Sequence, residues 1–351
     1  MILEMSKMYA LEQSPLYRMR NKKKLANLLG ISISYLTREH NQDYYKFSRP
    51  KPNGDGIRHF TVPSDELKYA LKKLCRLLSR IQTPDWVISG KKNHSYITNA
   101  EKHIENTFVK TMDISKFYDS AERKYVYRMF KETFKMAEDI AWLMTELVMY
   151  ENMLPTGSPS SQLIIYWAYR DMFNEINRIA NERACIFSLY VDDMTFSSKK
   201  PITKELRQEV CNQLKKYGLI AKSKKDHYYQ GNVVKVITGV GINDGQKVVL
   251  NNKRKRILEQ FEKCKTSNKI YDIEKLNGML CALRQIEPGI FPEIYNYIKH
   301  YDSELKLMAR NRFFKNRRKR RKFEKQRQYI NQKQRIVEKH LENKHCIGLE
   351  Q

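Results

Sequence analysis

The chain is poor in the features that mark secreted, zinc-binding and membrane proteins. Its 351 residues include six cysteines with no Cys-x-x-Cys pair, which argues against a zinc site or a disulfide framework and fits a reducing cytosol. No apolar run approaches the roughly 20 residues of a membrane span. Charges interrupt the apolar part of the N-terminus, so we expect no signal peptide. The sequence therefore predicts a cytoplasmic protein without membrane contact.

Acidic residues are scarce relative to basic ones. The chain has 66 Lys and Arg against 39 Asp and Glu, a formal net charge of +27. This charge exceeds what solubility requires and indicates a polyanionic partner, most often nucleic acid. A hydrophobic content of 41% is ordinary for a globular protein, and the length allows two or three subdomains.

The most informative stretch is Ser188–Ser198, with the sequence Ser-Leu-Tyr-Val-Asp-Asp-Met-Thr-Phe-Ser-Ser. Its apolar residues predict two strands, and the turn between them carries Asp192 and Asp193. Adjacent carboxylates repel each other unless a cation compensates, and hard oxygen ligands suit Mg²⁺. The alternative is a solvated turn, in which Asp is common.

A third candidate carboxylate lies upstream. Thr107–Ile114 reads as a strand with Asp113 at its C-terminal end. Asp113 can share a metal with the Asp192–Asp193 turn if the two strands are neighbours, although a helix cap is the alternative. For Asp119, in the turn that follows, we prefer the N-cap interpretation.

Two loops hold candidate groups for binding an anion. Residues 44–63 predict a hairpin with Lys51 and Arg58 on opposite sides of its Gly-rich turn, where both can reach one triphosphate. Two exposed cations are the alternative. The loop at 154–162 contains Gly157 and precedes a helix predicted over about 163–180, so its backbone N–H groups can face a nucleotide.

Other segments predict a framework of helices with one further β-ribbon. Apolar spacing indicates helices near the N-terminus, over Leu67–Ile81, over Lys204–Tyr217 and within 252–301, and a ribbon with Gly turns over Val233–Asn243. Asn99 and His103 are four residues apart, so a helix places them on one face. A local hydrogen-bonded helix start explains that pair equally well.

The tail is the most biased segment. Between Lys306 and Arg335, the chain has fourteen Lys or Arg and one acidic residue. Six basic residues are consecutive at 317–322, and aromatic residues flank them. Basic residues interleaved with aromatics suit phosphate contacts and base stacking. A solvated basic helix, docking on an acidic protein, or a packed last helix are the alternatives.

The order of these motifs resembles that of reverse transcriptases. A Lys…Arg hairpin, Asp-x-x-x-Phe-Tyr, Leu-Pro-x-Gly-x-Pro-x-Ser, Tyr-x-Asp-Asp and Gly-Leu-x-x-x-x-x-Lys follow one another in the chain. Two segments narrow the resemblance to retron reverse transcriptases: Asn99-Ala-Glu-Lys-His103 is similar to their Asn-Ala-x-x-His segment, and Ile237-Thr-Gly239 to their Val-Thr-Gly. The resemblance covers roughly residues 20–300.

The resemblance implies an α+β fold, a right-hand polymerase with fingers, a palm and a helical thumb. The palm would be a ferredoxin-like antiparallel sheet with helices. The basic helical C-terminal tail, which the composition predicts, follows the thumb and lies outside the family pattern. We expect an N-terminal helical segment at 1–43, fingers and palm at 44–250, the thumb at 251–305 and the tail at 306–351. No ribonuclease H domain is expected.

The implied activity is RNA-directed DNA polymerisation with dNTPs and two Mg²⁺ ions, Mn²⁺ being an alternative. The family implies a structured noncoding RNA as template and primer, priming from a guanosine 2′-hydroxyl, and a branched RNA–DNA product. It also implies a role in antiphage defence, with an effector protein encoded nearby.

The resemblance also implies roles for single residues. Asp113 and Asp192 would bridge the metals, assisted by Asp193, and Lys225, or its neighbour Lys224, would protonate pyrophosphate. The triphosphate would be held by Lys51 and Arg58, and Gly157 would contact the substrate. Tyr118 occupies the steric-gate position. RNA contacts are expected from Asn99, His103, Thr238 and Gly239. The family pattern does not explain the basic tail, and RNA contacts of Arg317, Arg318, Arg320 and Arg321 are expected from its charge alone.

The chain departs from the retron pattern at three positions. Val191 stands where Ala is usual, Thr156 where Gln is usual, and Gln162 where Pro is usual. The alternatives are another bacterial reverse transcriptase, of abortive-infection, diversity-generating or intron-derived type, or a non-catalytic RNA-binding scaffold. The intact Asp113, Asp192 and Asp193 argue against the scaffold.

Overall fold

The computed structural model describes residues 8–50, 56–267 and 269–347. The described chain forms two compact units, of which the first ends at Lys247 and the second begins at Val248. None of the described helices is both long enough and apolar enough to cross a membrane.

The first unit begins with two short helices, α1 (Lys22–Leu29) and α2 (Ile33–Thr37). The Asn21 side chain caps α1 by accepting the Lys24 N–H at 2.9 Å. Gly30 ends the helix with φ +68°, a conformation that glycine adopts without the usual Cβ clash. The predicted N-terminal helix is therefore confirmed, and its buried leucines join the main core of the first unit.

A two-stranded hairpin and a long helix follow. Strands β1 (Tyr44–Pro50) and β2 (Ile57–Pro63) pair antiparallel, as the Gly-rich turn predicts. Helix α3 (Asp65–Leu78) then buries one apolar face, as its spacing predicts, formed by Leu67, Ala70, Leu71, Leu74 and Leu78. Ile81, predicted as its last buried residue, is buried beyond the helix end and bridges to Tyr9.

The centre of the first unit is a four-stranded antiparallel sheet in the order β4-β5-β3-β6. Its strands are β3 (Phe108–Asp113), β4 (Ile186–Tyr190), β5 (Asp193–Ser198) and β6 (His227–Tyr229). Side chains alternate between the faces. One face is apolar and buried, with Met112, Phe187, Leu189, Met194 and Phe196. The other face carries Ser188, Thr195 and Ser197, which are also buried.

The first unit continues with the helices α4 (Tyr96–Glu101), α5 (Arg123–Arg128), α6 (Glu138–Val148), α7 (Ser161–Ala168), α8 (Arg170–Glu182) and α9 (Lys204–Lys216), of which α4 and α8 contact β4. A π-helical turn, Met129–Thr133, follows α5. The single helix predicted over 163–180 is wrong, because the helix is interrupted at Tyr169. This residue is fully buried, and its hydroxyl accepts the Glu122 N–H at 3.0 Å.

The predicted ribbon is present as β7 (Lys235–Ile237) and β8 (Val240–Asn243), which pair antiparallel, and β9 (Gln246–Val248) adds a third strand beyond the predicted range. The second unit contains α10 (Asn251–Ser267), α11 (Ile270–Arg284), α12 (Pro292–Lys299) and α13 (Asp302–Ile347). Its core joins Ile257 and Phe261 of α10 with Ile273, Leu276 and Leu280 of α11. Arg312 of α13 forms an ion pair with Glu274 of α11 at 2.8 Å.

Candidate active site

Strand register brings the three predicted carboxylates together. Asp113, the last residue of β3, lies directly opposite Asp193, the first residue of β5. Asp192 occupies the two-residue turn between β4 and β5. Oxygen atoms of all three carboxylates lie within 4.8 Å of one another. The neighbouring strands on which the shared-metal hypothesis depends are therefore present.

The cluster is electrostatically unfavourable by itself. Burial and then the neighbouring Asp192 raise the pKa of Asp193 to about 7. Burial, followed by Asp113, also raises the pKa of Asp192. Both shifts follow from placing like charges in a partly desolvated position. A bound cation would relieve this repulsion.

Lys225 supplies one positive charge at the cluster. Its Nζ lies 2.7 Å from Asp113 Oδ1 and 3.8 Å from Asp193 Oδ1. Burial alone would lower the pKa of this ammonium, but the Asp113 hydrogen bond and the other carboxylates raise it. The turn that carries Lys225 is fixed by a bond from the Lys222 N–H to the Asp113 carbonyl at 2.7 Å. Of the two candidate lysines, Lys225 makes these contacts.

The donor set fits a hard divalent cation. Three carboxylates converge at the end of a rigid sheet, and Asp113 is only 3% exposed. Carboxylate oxygens are the ligands that Mg²⁺ and Mn²⁺ share in proteins. Asp113, Asp192 and Asp193 are therefore the residues that would hold such an ion.

Tyr118 lies beside the carboxylates. Burial, and then the nearby Asp192, raise the pKa of its phenol. Its carbonyl accepts the Leu154 N–H at 3.1 Å, which ties the turn after β3 to the start of the Gly/Pro/Ser loop. The steric-gate role of Tyr118 stays a prediction.

The same loop docks against β2. The Gly157 N–H donates to the Thr61 carbonyl at 2.9 Å. A Cβ on Gly157 would lie 2.5 Å from Val62 Cγ2 and 2.7 Å from the Thr61 carbonyl oxygen, so only glycine permits this approach. Gly157 therefore has a packing role. Its N–H, which the sequence predicts to face a nucleotide, is bonded to the Thr61 carbonyl.

Of the predicted triphosphate clamp, Arg58 is described and Lys51 lies outside the described residues. Arg58 is exposed on β2, and its guanidinium lies 5.4 Å from the centre of the Phe60 ring. Its role in binding the triphosphate stays a prediction.

The expected RNA contacts of Asn99 and His103 are wrong, because both side chains are completely buried. The His103 ring bridges strands β4 and β5, with Nδ1 2.7 Å from Ser197 Oγ on β5 and Nε2 2.7 Å from Ser188 Oγ on β4. Burial lowers the pKa of His103 to about 3, so the ring stays neutral. The pair secures α4 and the turn after it over the polar face of the sheet.

Thr238 and Gly239 form the turn between β7 and β8, and both have positive φ, +45° and +81°. The Thr238 hydroxyl donates to the Tyr96 carbonyl at 2.7 Å, and Asn99 Nδ2 donates to the same hydroxyl at 3.5 Å. These bonds join the two segments whose sequences resemble retron motifs. RNA contact by the half-buried Thr238 and Gly239 stays a prediction.

The predicted tail residues lie on α13. Arg317, Arg318 and Arg321 are exposed there, whereas the Arg320 side chain lies outside the described part of the chain. Phe313 and Phe314 are also exposed, at 61% and 43%.

Sequence reasoning missed Ser89. Its hydroxyl accepts the N–H of Val191, the residue before Asp192, at 2.9 Å. The two residues are about one hundred positions apart, and no pattern around Ser89 indicates the contact.

Comparisons with known proteins agree with this site. Residues 50–257 match the family model described as reverse transcriptase (RNA-dependent DNA polymerase). The retron Se72 reverse transcriptase of Salmonella heidelberg is 24% identical over 318 residues, 82% of this chain and 83% of that protein. The retron Ec86 reverse transcriptase of Escherichia coli is 25% identical over 251 residues, 71% of this chain and 78% of that protein.

A more distant likeness is to a solved structure, the foamy viral protease-reverse transcriptase dRH in complex with ds DNA. It aligns with a TM-score of 0.44 and 16% identity, over 75% of this chain and 39% of that one. At this score the alignment adds nothing to the family match.

Proposed function

Because the chain belongs to the reverse transcriptase family and is an RNA-directed DNA polymerase, we propose that it is a retron-type enzyme. It would copy its own structured noncoding RNA, starting from a guanosine 2′-hydroxyl, into DNA that stays joined to the RNA. The retron relatives support this assignment. So do the segments around Asn99 and Thr238, which resemble retron motifs and contact each other.

The observation that carries the catalytic proposal is the convergence of Asp113, Asp192 and Asp193. Phosphoryl transfer requires mainly positioning and charge stabilisation. Divalent cations held by these carboxylates would lower the pKa of the attacking hydroxyl and neutralise the triphosphate. Asp113 and Asp192 would be the main ligands, with Asp193 assisting.

The surrounding side chains would position the nucleotide. Lys225, whose ammonium lies 2.7 Å from Asp113, would donate a proton to the leaving pyrophosphate. Arg58 and Lys51 would hold the triphosphate, and the Tyr118 ring would exclude a ribose 2′-hydroxyl. The β1–β2 hairpin would belong to the fingers, the four-stranded sheet to the palm and α10–α12 to the thumb.

RNA would be held partly by α13. Its exposed Arg317, Arg318 and Arg321 lie along one continuous helix with exposed aromatic rings. Such a helix suits a phosphate backbone without sequence preference. The product would serve antiphage defence with an effector protein encoded nearby, which is a role that the retron resemblance implies.

The test is to express the gene with its flanking DNA and to analyse the nucleic acid that copurifies with the protein. We expect single-stranded DNA that is covalently joined to RNA. Ribonuclease should trim the RNA to a short remnant at the branch point, and a 2′,5′-debranching enzyme should release the DNA from that remnant. An Asp192→Ala protein should copurify with the RNA but without DNA. DNA synthesis that needs an ordinary primer with a free 3′ end would instead support another type of bacterial reverse transcriptase.

A further inference from the structure

The turn that carries Asp192 contains an unusual backbone conformation. Val191 has φ +61°, in the left-handed region. A β-branched side chain rarely adopts this region, because its Cβ crowds the backbone, and it persists only where surrounding contacts enforce it. The conformation therefore needs a specific support.

Hydrogen bonds support the turn from two sides. On one side, the Val191 N–H donates to Ser89 Oγ at 2.9 Å. On the other side, the Ile114 N–H donates to the Asp192 carbonyl at 3.1 Å, directly after Asp113. The Ile114 contact is made by backbone and survives substitution, whereas the Ser89 contact depends on one hydroxyl.

Ser89 is itself held in a fixed place. The segment Trp86–Ser89 runs parallel to β4, with the Leu189 N–H donating to the Trp86 carbonyl at 2.8 Å and the Ile88 N–H donating to the Leu189 carbonyl at 3.0 Å. The Trp86 ring packs against Phe187 with centres 5.4 Å apart. At Gly90, which follows Ser89, a Cβ would lie 2.7 Å from Leu163 Cδ2. The segment is therefore hydrogen-bonded to β4 over Trp86–Ile88, and Gly90 packs closely against Leu163 directly after Ser89.

We propose that Ser89 is a positioning residue that holds the Val191–Asp192 turn so that the Asp192 carboxylate faces those of Asp113 and Asp193. The proposal rests on the proposed role of Asp192 in binding the catalytic cation. Geometry errors of about 1 Å at a reacting centre cost as much as a hundredfold in rate. One hydroxyl outside the cluster can thus control the activity of the cluster.

The first experiment compares Ser89→Ala with Ser32→Ala. Ser32 is a matched control, because it is also half-buried and its hydroxyl also accepts a backbone N–H, that of Tyr35 at 3.1 Å, at the start of α2. Both variants should lower the thermal midpoint by similar small amounts. Only Ser89→Ala should lower kcat, by about tenfold, and weaken Mn²⁺ binding measured by electron paramagnetic resonance on the protein alone. Ser89→Thr, which keeps the hydroxyl, should restore both.

The second experiment substitutes Val191, whose left-handed backbone conformation the Ser89 hydroxyl supports. Glycine adopts positive φ without a Cβ penalty, so Val191→Gly should depend less on Ser89. We expect Ser89→Ala to cost less activity in the Val191→Gly background than in the wild type. Equal losses in the two backgrounds would contradict the proposal.

The outcomes separate this proposal from the proposed function. If Asp192→Ala is inactive while Ser89→Ala matches Ser32→Ala in kcat and in Mn²⁺ affinity, the role of Ser89 alone is overturned. If Asp192→Ala keeps wild-type activity, the catalytic assignment fails and this proposal fails with it.

Discussion

The carboxylate site and helix α13 differ in how their charged groups are arranged. At the site, three acidic groups are crowded within 4.8 Å at the end of a sheet, and Asp113 is almost fully buried. On α13, basic groups are spread along a 46-residue helix, with Arg317, Arg318 and Arg321 exposed to solvent. The site depends on geometry, and the helix depends on charge density.

This difference shows how tolerant each region should be. Moving one carboxylate by a single register step would turn it to the other face of the sheet, so the site should fail when one residue changes. A phosphate backbone accepts positive charge at many positions, so α13 should lose function gradually. Substitutions in the two regions should therefore differ in the size of their effects.

The largest effect should come from Asp192→Ala or Asp113→Ala. Loss of a ligand from the cluster removes charge stabilisation that is worth several kcal/mol, so DNA synthesis should fall by about a thousandfold or more. The measurement is single-nucleotide incorporation on a primed RNA. Asp119→Ala is the matched control, since Asp119 is exposed in the adjacent turn, and it should keep near wild-type activity. Comparable losses in all three variants would remove the special role of the cluster.

A smaller effect is expected for Tyr118→Ala. The ring lies beside Asp192, where it would block a ribose 2′-hydroxyl, so its removal should reduce discrimination between dNTP and rNTP by about tenfold or more, a barrier difference of about 1.4 kcal/mol. The measurement is the ratio of kcat/KM for matched dNTP and rNTP. Tyr118→Phe, which keeps the ring, should preserve the ratio. Unchanged discrimination in Tyr118→Ala would exclude the steric-gate role.

A graded effect is expected on α13. Substituting Gln for Arg317, Arg318 and Arg321 should weaken RNA binding and reduce the log–log salt slope by about two, since each lost phosphate contact removes roughly 0.7–0.9. Incorporation on a saturating primed template should stay within about twofold. Gln at Lys22, Lys23 and Lys24, which are exposed on α1, removes the same charge and should change the slope less. Equal slopes in both triple variants would leave protein docking as the role of α13.

The smallest effect concerns stability and pH. The pKa of Asp193 is raised to about 7, above its unfolded value near 3.9, so the folded protein binds the extra proton between these values. Stability from this group is therefore present at low pH and is lost as pH rises towards 7. Without divalent cations, Asp193→Asn should raise the thermal midpoint by a few degrees at pH 8 and change it little at pH 4.

Thermal unfolding followed by circular dichroism at both pH values measures this difference. Added Mg²⁺ should stabilise wild type more than the variant. A lower midpoint in Asp193→Asn at pH 8 would contradict the repulsion within the cluster.

The same contrast separates what the sequence could predict from what it could not. The hairpins, the amphipathic helix α3 and the helical tail follow from local spacing. Asp113, Asp192 and Asp193 stand out because adjacent carboxylates at strand ends repel each other unless a cation binds them. The RNA contacts predicted for Asn99 and His103 are wrong, because two polar residues four apart give no sign that distant serines will bind His103 or that Thr238 will bind Asn99. Ser89 was missed for the same reason: its partner is set by tertiary packing.

Mn²⁺ binding by the protein alone, followed by electron paramagnetic resonance, shows directly whether the three carboxylates hold a divalent cation. We predict saturable binding to the wild type, loss of this binding in Asp113→Ala and Asp192→Ala, and unchanged binding in the triple Arg→Gln variant of α13. Thermal midpoints in the absence of metal would confirm that each variant is folded. Wild-type Mn²⁺ affinity in both folded aspartate variants would contradict the claim that these carboxylates hold the catalytic cation.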